Sequence, residues 1–194
     1  MKGWDGPTLL LLRAYEQLLR YVDATSLTML SRYAVEDQEL TAWFLAQGEN
    51  PNTPCGLDKT PLSAAVQYAS LNVIQMLFAH HGSIEHGQLL HYAIWRRVNN
   101  DREAVVRLLL QRGALPNALM YHSKPASYSQ RLAFGLGTPL HDAAAGGDMD
   151  VVRILLESGG DPRIRDTLGE LPHERARANG HDLVASLLLS RLGA

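Results

Sequence analysis

The chain has 194 residues, of which 46% are hydrophobic and 20% charged, and its formal net charge is -2. A chain of this size can bury a sizeable core as one domain or as a short repeat array. The near balance of 18 basic and 20 acidic residues gives no overall attraction to nucleic acid or to an anionic membrane. The lone cysteine, Cys55, cannot form an internal disulfide or a thiolate metal cage, which predicts a reducing compartment, the cytoplasm and/or the nucleus.

The N-terminal segment is predicted to be a helix. Residues 7–24 are rich in leucine, but Arg13 and Glu16 interrupt the apolar stretch and leave it too short for a secretory signal or a membrane span. The pattern is that of an amphipathic helix. We therefore expect residues 1–26 to cover the open apolar end of the structure that follows.

An apolar triplet recurs five times along the rest of the chain. Its last residues are Leu45, Phe78, Leu110, Leu156 and Leu189. The steps between them are 33, 32, 46 and 33 residues, and a period near 33 indicates stacked supersecondary units. The deviations have visible sources, because residues 97–101 lengthen a turn and residues 118–137 lengthen a connection.

The clearest unit begins with Thr-Pro-Leu-His-Asp-Ala-Ala at residues 138–144, continues through Gly147 and the apolar run 151–156, and ends in Gly-Gly-Asp-Pro at residues 159–162. Threonine before proline places a hydroxyl at the N-cap and a ring of preset φ at the first helical position, and Thr60-Pro61 repeats this start. The combination resembles the ankyrin pattern.

The resemblance implies an all-α fold, an ankyrin-repeat solenoid of stacked helix-turn-helix units with short hairpin-like fingers between them. We expect one domain over residues 1–194, and its predicted units are residues 27–57, 58–87, 88–135, 136–168 and 169–194. Glycines that follow the triplets are predicted to end helices in the left-handed conformation. They are Gly48, Gly82, Gly113 and Gly159.

The third unit departs from the pattern at its start. Gln88 stands where the pattern has threonine, although His91 keeps the histidine position. The connection before it, residues 82–87, is about half the usual length. We expect a looser helix start and a finger that is cut short.

Ankyrin proteins usually meet partners on the concave face that their inner helices and finger tips form. On that face the resemblance places Gln67 and Tyr68 in the second unit and Trp95 and Arg96 in the third. Tyrosine, tryptophan and arginine dominate binding hot spots, so Tyr68, Trp95 and Arg96 are predicted to be an exposed recognition cluster. The alternative is that Trp95 only packs under the lengthened turn at residues 97–101.

The insertion at residues 118–137 offers a second candidate surface. Its aromatic and basic residues in a serine-rich setting are Tyr121, His122, Tyr128, Arg131 and Phe134. Loops of this length are either functional or disordered. The insertion is therefore either a recognition surface or a tolerated loop without a task.

Four histidines, His80, His81, His86 and His91, lie within twelve residues, but no HExxH motif or cysteine pair accompanies them, so no metal or cofactor is predicted. The His-Asp pair at 141–142 is explained by the repeat, where the imidazole can bridge neighbouring units. No P-loop, dinucleotide fingerprint or nucleophile elbow is present. One lysine and one arginine in the insertion are too few for nucleic-acid binding.

The sequence therefore predicts a non-enzymatic module, an adaptor, scaffold or inhibitor that binds another protein through its concave face and the 118–137 loop. The alternative is a small-molecule-binding or catalytic protein that uses the concave groove with the 118–137 loop as a lid. Neither nucleic acid nor a membrane is an expected partner.

Overall fold

The computed structural model describes residues 34–54, 58–98 and 101–193. The predicted capping helix at residues 1–26 and the finger residue Cys55 lie outside this part of the chain. The helices with bounds inside it are α1 (Gln38–Ala46), α2 (Pro61–Tyr68), α3 (Leu71–Ala79), α4 (Leu89–Ile94), α5 (Arg102–Gln111), α6 (Pro125–Arg131), α7 (Pro139–Ala145), α8 (Met149–Glu157), α9 (Pro172–Ala178) and α10 (Asp182–Leu192). A short 3-10 helix, Leu132–Phe134, follows α6.

The threonine-proline starts act as predicted. Thr60 caps α2, since its hydroxyl accepts a hydrogen bond from the Ser63 amide at 3.1 Å and the Ser63 hydroxyl accepts one from the Thr60 amide at 3.1 Å. Thr138 precedes α7 with proline at the first helical position, and there the Thr138 amide donates to the Nδ1 of His141 at 3.0 Å. Reciprocal bonds of this kind satisfy amides that a helix start leaves unpaired.

The helices stack in two layers. We call α2, α4, α7 and α9 the first-helix layer, because each is the first helix of a pair and each contacts the next in the series. The second helices, among which α5 packs on α8 and α8 on α10, form the other layer. The main apolar core is a continuous cluster that extends from Val35 to Leu188, and a second, small cluster of Met120, Tyr121 and Leu136 lies in the insertion. This architecture confirms the predicted all-α solenoid.

Fingers join successive helix pairs, and in two of the fingers one asparagine side chain bonds to the backbone of the following finger. The Asn52 side chain donates to the His81 carbonyl at 2.8 Å and accepts from the Ser83 amide at 2.7 Å. Asn117 makes the same two bonds with Gly159 and Asp161, both at 2.8 Å. The same pair of asparagine hydrogen bonds therefore occurs at two places along the stack.

One glycine prediction is wrong. Gly48, Gly113 and Gly159 have left-handed φ values of 89°, 92° and 86°, as expected of residues that end helices. After α3 that conformation falls on His81, whose φ is 67°, and not on Gly82. The repeat register itself is unchanged, because His81 follows Phe78 by three residues as Gly48 follows Leu45, so only the choice of Gly82 was wrong by one residue.

Candidate partner-binding site

The first-helix layer carries an aromatic cluster at the end of α4. The rings of Tyr92 and Trp95 meet edge to face, with centroids 5.8 Å apart at 89°. The Lys59 ammonium lies 4.9 Å from the centroid of the Tyr92 ring. Tyr92 is buried, whereas 39% of Trp95 is exposed, so the cluster presents the indole to solvent on a fixed support.

The expected exposure of Arg96 is wrong. Its side chain is fully buried and reaches back to the end of α2, where it donates to the carbonyl oxygens of Val66 and Ala69, each at 2.6 Å. The same guanidinium pairs with the Asp101 carboxylate at 2.6 and 2.7 Å. All its contacts are internal, because it satisfies carbonyls that the α2 terminus leaves unpaired.

The two predicted residues of α2 are less exposed than expected. Gln67 is 7% exposed, and its backbone oxygen accepts from the Arg97 amide at 2.9 Å. Tyr68 is half-buried. Of the four residues predicted on this face, Trp95 is therefore the most accessible and Tyr68 the next.

The insertion folds onto the repeats and is fixed at both ends. At its start the Lys124 ammonium lies 3.3 Å from the Asp58 carboxylate, in the finger before α2. At its end the Thr167 hydroxyl, in the finger before α9, donates to the Leu132 carbonyl at 2.7 Å and accepts from the Leu136 amide at 2.8 Å. Helix α6 and the 3-10 turn thus span from the start of the second unit, at Asp58, to the end of the fourth, at Thr167.

The shortened finger makes room for this insertion. Gln88, which replaces the capping threonine, has a left-handed φ of 53° and makes no cap bond of its own. The side-chain Nε2 of Gln88 donates to the Asp58 carboxylate at 2.8 Å, and its side-chain Oε1 accepts from the backbone amide of Tyr121 at 3.0 Å. The looser start predicted for the third unit is thus explained by a side chain that joins the insertion to the stack.

The insertion residues fall into two groups. Tyr121 is buried and shares a hydrogen bond with Tyr92, so its predicted exposure is wrong, and Tyr128 packs half-buried beside it. His122 is exposed. The Arg131 guanidinium lies 5.5 Å from the centroid of the Phe134 ring, which is 73% exposed.

Burial sets the protonation of the two paired tyrosines. Burial raises the pKa of Tyr92 far above its usual value, and the nearby Tyr121 adds to the effect. Burial also raises the pKa of Tyr121, against the opposing influence of its bond to Tyr92. Both phenols are therefore neutral around pH 7, and the pair joins the insertion to α4 without introducing charge.

An exposed apolar patch surrounds the end of the insertion. Leu132 is 41% exposed and Leu168, across the finger before α9, is 59% exposed. The backbone of Gly135 lies against Leu168. With Phe134 these residues form what we call the insertion patch. Sequence reasoning identified Phe134 but missed Leu168, which lies 34 residues later and is brought near by the Thr167 contacts and by the Arg175 bond to the Gly135 carbonyl.

Sequence reasoning marked Gln88 as a departure from the repeat pattern but gave it no role in the site. Tyr92, Asp58 and Lys124, which also organise the site, were not predicted to do so. Within residues 34–54, 58–98 and 101–193, no cluster of three or more histidine, cysteine, aspartate or glutamate side chains is placed to hold a metal. In the same ranges no helix is both long and apolar enough to cross a membrane.

Paired helices in two layers, with fingers between pairs, define a helical repeat protein. A model described as ankyrin repeats (3 copies) matches residues 29–120, and a model described as an ankyrin repeat matches residues 137–167. Together they cover more than half of the sequence. The chain belongs to the ankyrin-repeat family.

Curated relatives share parts of the chain. A probable E3 ubiquitin-protein ligase XBOS33 of Oryza sativa subsp. japonica is 45% identical over 58 residues, 29% of this chain and 11% of that protein. Cyclin-dependent kinase 4 inhibitor B of Bos taurus is 36% identical over 89 residues, 46% of this chain and 59% of that protein. Human cyclin-dependent kinase inhibitor 2A is 33% identical over 114 residues, 45% of this chain and 69% of that protein. The match therefore spans less than two thirds of the first two relatives.

Proposed function

We propose that this chain is a non-enzymatic protein-interaction module, an adaptor, scaffold or inhibitor, whose partner contacts Trp95, Tyr68 and the exposed side of the insertion. Ankyrin repeats typically bind other proteins, which supports the class. The observation that carries the location is Trp95, a large aromatic held at 39% exposure against Tyr92 in a layer whose neighbours are mostly buried. Aromatic anchors on a rigid support are typical of binding hot spots.

The insertion is the second part of the proposed surface. The three relatives bear names of different activities, a ligase and kinase inhibitors, so the shared stacking positions do not specify one partner. Specificity then belongs to residues outside the repeat pattern, and the insertion patch exposes apolar area there. Arg131 beside Phe134 adds a cation at its rim.

The test is affinity purification of the full chain from its native cell with quantitative mass spectrometry. Trp95→Ala and Phe134→Ala are each expected to lower recovery of a specific partner at least tenfold, the loss typical of a hot spot. The matched control is Leu183→Ala, since Leu183 is 80% exposed but lies on α10 in the second-helix layer. Thermal unfolding of each variant checks that it remains folded.

Two outcomes would contradict the proposed interface. If both variants recover the same proteins in the same amounts as the native chain and Leu183→Ala, then neither Trp95 nor the insertion patch lies in the interface. A partner lost with Leu183→Ala alone would place the interface on the second-helix layer.

The small-molecule alternative has one observation in its favour. A pocket of about 310 Å³ lies between the third unit and the start of the insertion. It is not the wide groove under a lid that the sequence suggested, because Tyr121 and Tyr92 meet and the insertion is docked on the stack. The alternative is therefore restricted to this pocket.

A further inference from the structure

One half-buried arginine lacks the carboxylate partner that its counterparts have. The arginines of the described residues that are buried or half-buried are Arg96, Arg102, Arg131 and Arg175. Three of them pair with a carboxylate: Arg96 with Asp101 at 2.6 Å, Arg102 with Asp148 at 2.7 Å, and Arg175 with Asp166. Arg131 makes no hydrogen bond or ion pair with any described residue, and its guanidinium lies beside the Phe134 ring.

Water takes the place of a carboxylate at Arg131. A guanidinium that loses hydration on folding is normally compensated by an anion, because a buried charge without one is costly. Arg131 keeps one side in solvent, and its contact with the Phe134 ring, 5.5 Å from the centroid, is a favourable cation-aromatic one. Its place in the last turn of α6 also suits a cation. Neither effect gives its N–H groups an acceptor, so water must supply one.

A partner seated on the insertion patch would remove that water. Phe134, Leu168 and Leu132 expose 73%, 59% and 41% of their surface, and covering this apolar area is favourable. Because the guanidinium adjoins the Phe134 ring, a partner that covers the ring also covers Arg131. The donors of the guanidinium would then be left unpaired unless the partner brought a charged acceptor to them.

The charges around the patch favour an acceptor with a single negative charge. The guanidiniums of Arg165 and Arg175 already have acidic neighbours, which are Glu174, Asp166 and Glu170. A phosphate dianion would be repelled by these carboxylates and would exceed the one charge of Arg131. A carboxylate matches that charge, and its two oxygens fit the fork of a guanidinium.

We propose that the insertion patch binds an acidic segment of a protein partner, in which a large apolar side chain covers Phe134 and a nearby aspartate or glutamate pairs with Arg131. The inference rests on the proposed function, since it gives the chemistry of the partner at a surface proposed there. The guanidinium lies 5.5 Å from the ring centroid, and consecutive Cα atoms are about 3.8 Å apart. The two side chains are therefore adjacent or next but one in the partner's sequence.

The test selects binders from a displayed library of random peptides on the full chain. Counter-selection on Phe134→Ala keeps only peptides that need the patch, and these are expected to carry an acidic residue within two positions of a large apolar one. Titration calorimetry then measures one selected peptide. Replacing its acid with the corresponding amide should weaken binding about tenfold, as should Arg131→Gln in the chain. Both changes together should cost no more than either alone, because they remove the same pair.

Two further variants test the specificity of that loss. Arg107→Gln removes an exposed arginine of α5 in the second-helix layer and should leave the affinity unchanged. Arg131→Lys keeps the charge without the planar fork, so its affinity should lie between those of the native chain and Arg131→Gln. Neither Arg131 variant removes a hydrogen bond between described residues, so thermal unfolding should be unaltered.

Four results would overturn the proposal. They are selected peptides without an acid, independent losses for the two changes, an equal loss with Arg107→Gln, and a library that yields no peptide dependent on Phe134. Partner recovery from the native cell separates this inference from the proposed function. If Phe134→Ala lowers recovery and Arg131→Gln does not, the patch is an interface and the acidic contact is wrong. If neither lowers it, the patch is not an interface and both fail there.

Discussion

At the scale of single residues, burial and not residue type decides which candidates can meet a partner. Trp95 and Arg96 are neighbours in sequence and equally plausible as hot-spot residues. The backbone turns so that the indole rests on Tyr92 and stays partly exposed, whereas the guanidinium enters the gap at the end of α2. The sequence gives little local sign of this division, because of the groups that hold Arg96 only Asp101 is near in the chain, and the carbonyls of Val66 and Ala69 lie about 30 residues earlier.

The internal role of Arg96 predicts a large effect on stability. Arg96→Ala leaves the carbonyls of Val66 and Ala69 and the Asp101 carboxylate without their donor, so the free energy of unfolding should fall by about 3–5 kcal/mol. Arg96→Lys should also be destabilising, since an ammonium cannot reproduce the planar fork. Urea unfolding measures both. Arg97→Ala at the exposed neighbour is the control and should stay within about 0.5 kcal/mol of the native chain. A loss below about 1 kcal/mol for Arg96→Ala would show that the buried contacts contribute little.

At the scale of helices and fingers, the regular parts were predictable because their determinants are local. A cap involves residues three apart, as at Thr60 and Ser63, and helix starts and pairing follow from it. His141 likewise bridges adjacent units as predicted. The course of the insertion was not predictable, since its partners Asp58 and Thr167 lie more than 30 residues away on either side. Tyr121 was predicted to be exposed for the same reason, because the residues that bury it, Gln88 and Tyr92, lie about 30 residues earlier in the chain.

The bridge at His141 makes stability depend on pH. Burial lowers the pKa of His141 from its ordinary value of 6.5; the Glu170 carbonyl opposes this, while the Arg175 guanidinium adds to the lowering. The carboxylates of Asp166 and Asp142 also oppose it. Below pH 6.5 the unfolded chain takes up a proton there before the folded chain does. The free energy of unfolding should therefore fall as pH drops from 6.5 toward the folded pKa, at up to about 1.4 kcal/mol per pH unit from this group.

The measurement compares the native chain with His141→Gln by urea unfolding across that range. The variant should start less stable, because it loses bonds to Thr138 and Glu170, but its stability should fall less steeply below pH 6.5. Other titrating groups are shared by the two proteins and cancel in the difference. Parallel curves for both proteins would mean that His141 does not titrate differently on folding.

At the scale of the whole molecule, the insertion changes how the repeats depend on one another. In a simple solenoid each unit contacts only its neighbours, so damage at one end frays that end first. Here the insertion, which belongs to the third unit, reaches the second unit through Lys124 and Asp58 and the fourth through Thr167. It also reaches the fifth unit, because the Arg175 guanidinium donates to the Gly135 carbonyl. Non-adjacent units are thereby coupled, which should make the stack unfold more nearly as one body.

This coupling can be removed without shortening the chain. Lys124→Ala with Thr167→Val deletes the ion pair at one end and two hydrogen bonds at the other, which should lower stability by about 1–3 kcal/mol. Hydrogen exchange in mild urea then compares α2 and α3 with α9 and α10. In the native chain we expect both pairs to lose protection together, whereas in the double variant α9 and α10 should open at lower urea. Among the described residues, the insertion then holds this end only through the Arg175 bond to the Gly135 carbonyl and the Thr167 amide bond to the Leu136 carbonyl. Ser129→Ala, at an exposed site of α6, is the control and should behave as the native chain does. Joint loss of protection in the double variant would mean that the insertion adds no coupling and that nearest-neighbour packing alone makes the stack cooperative.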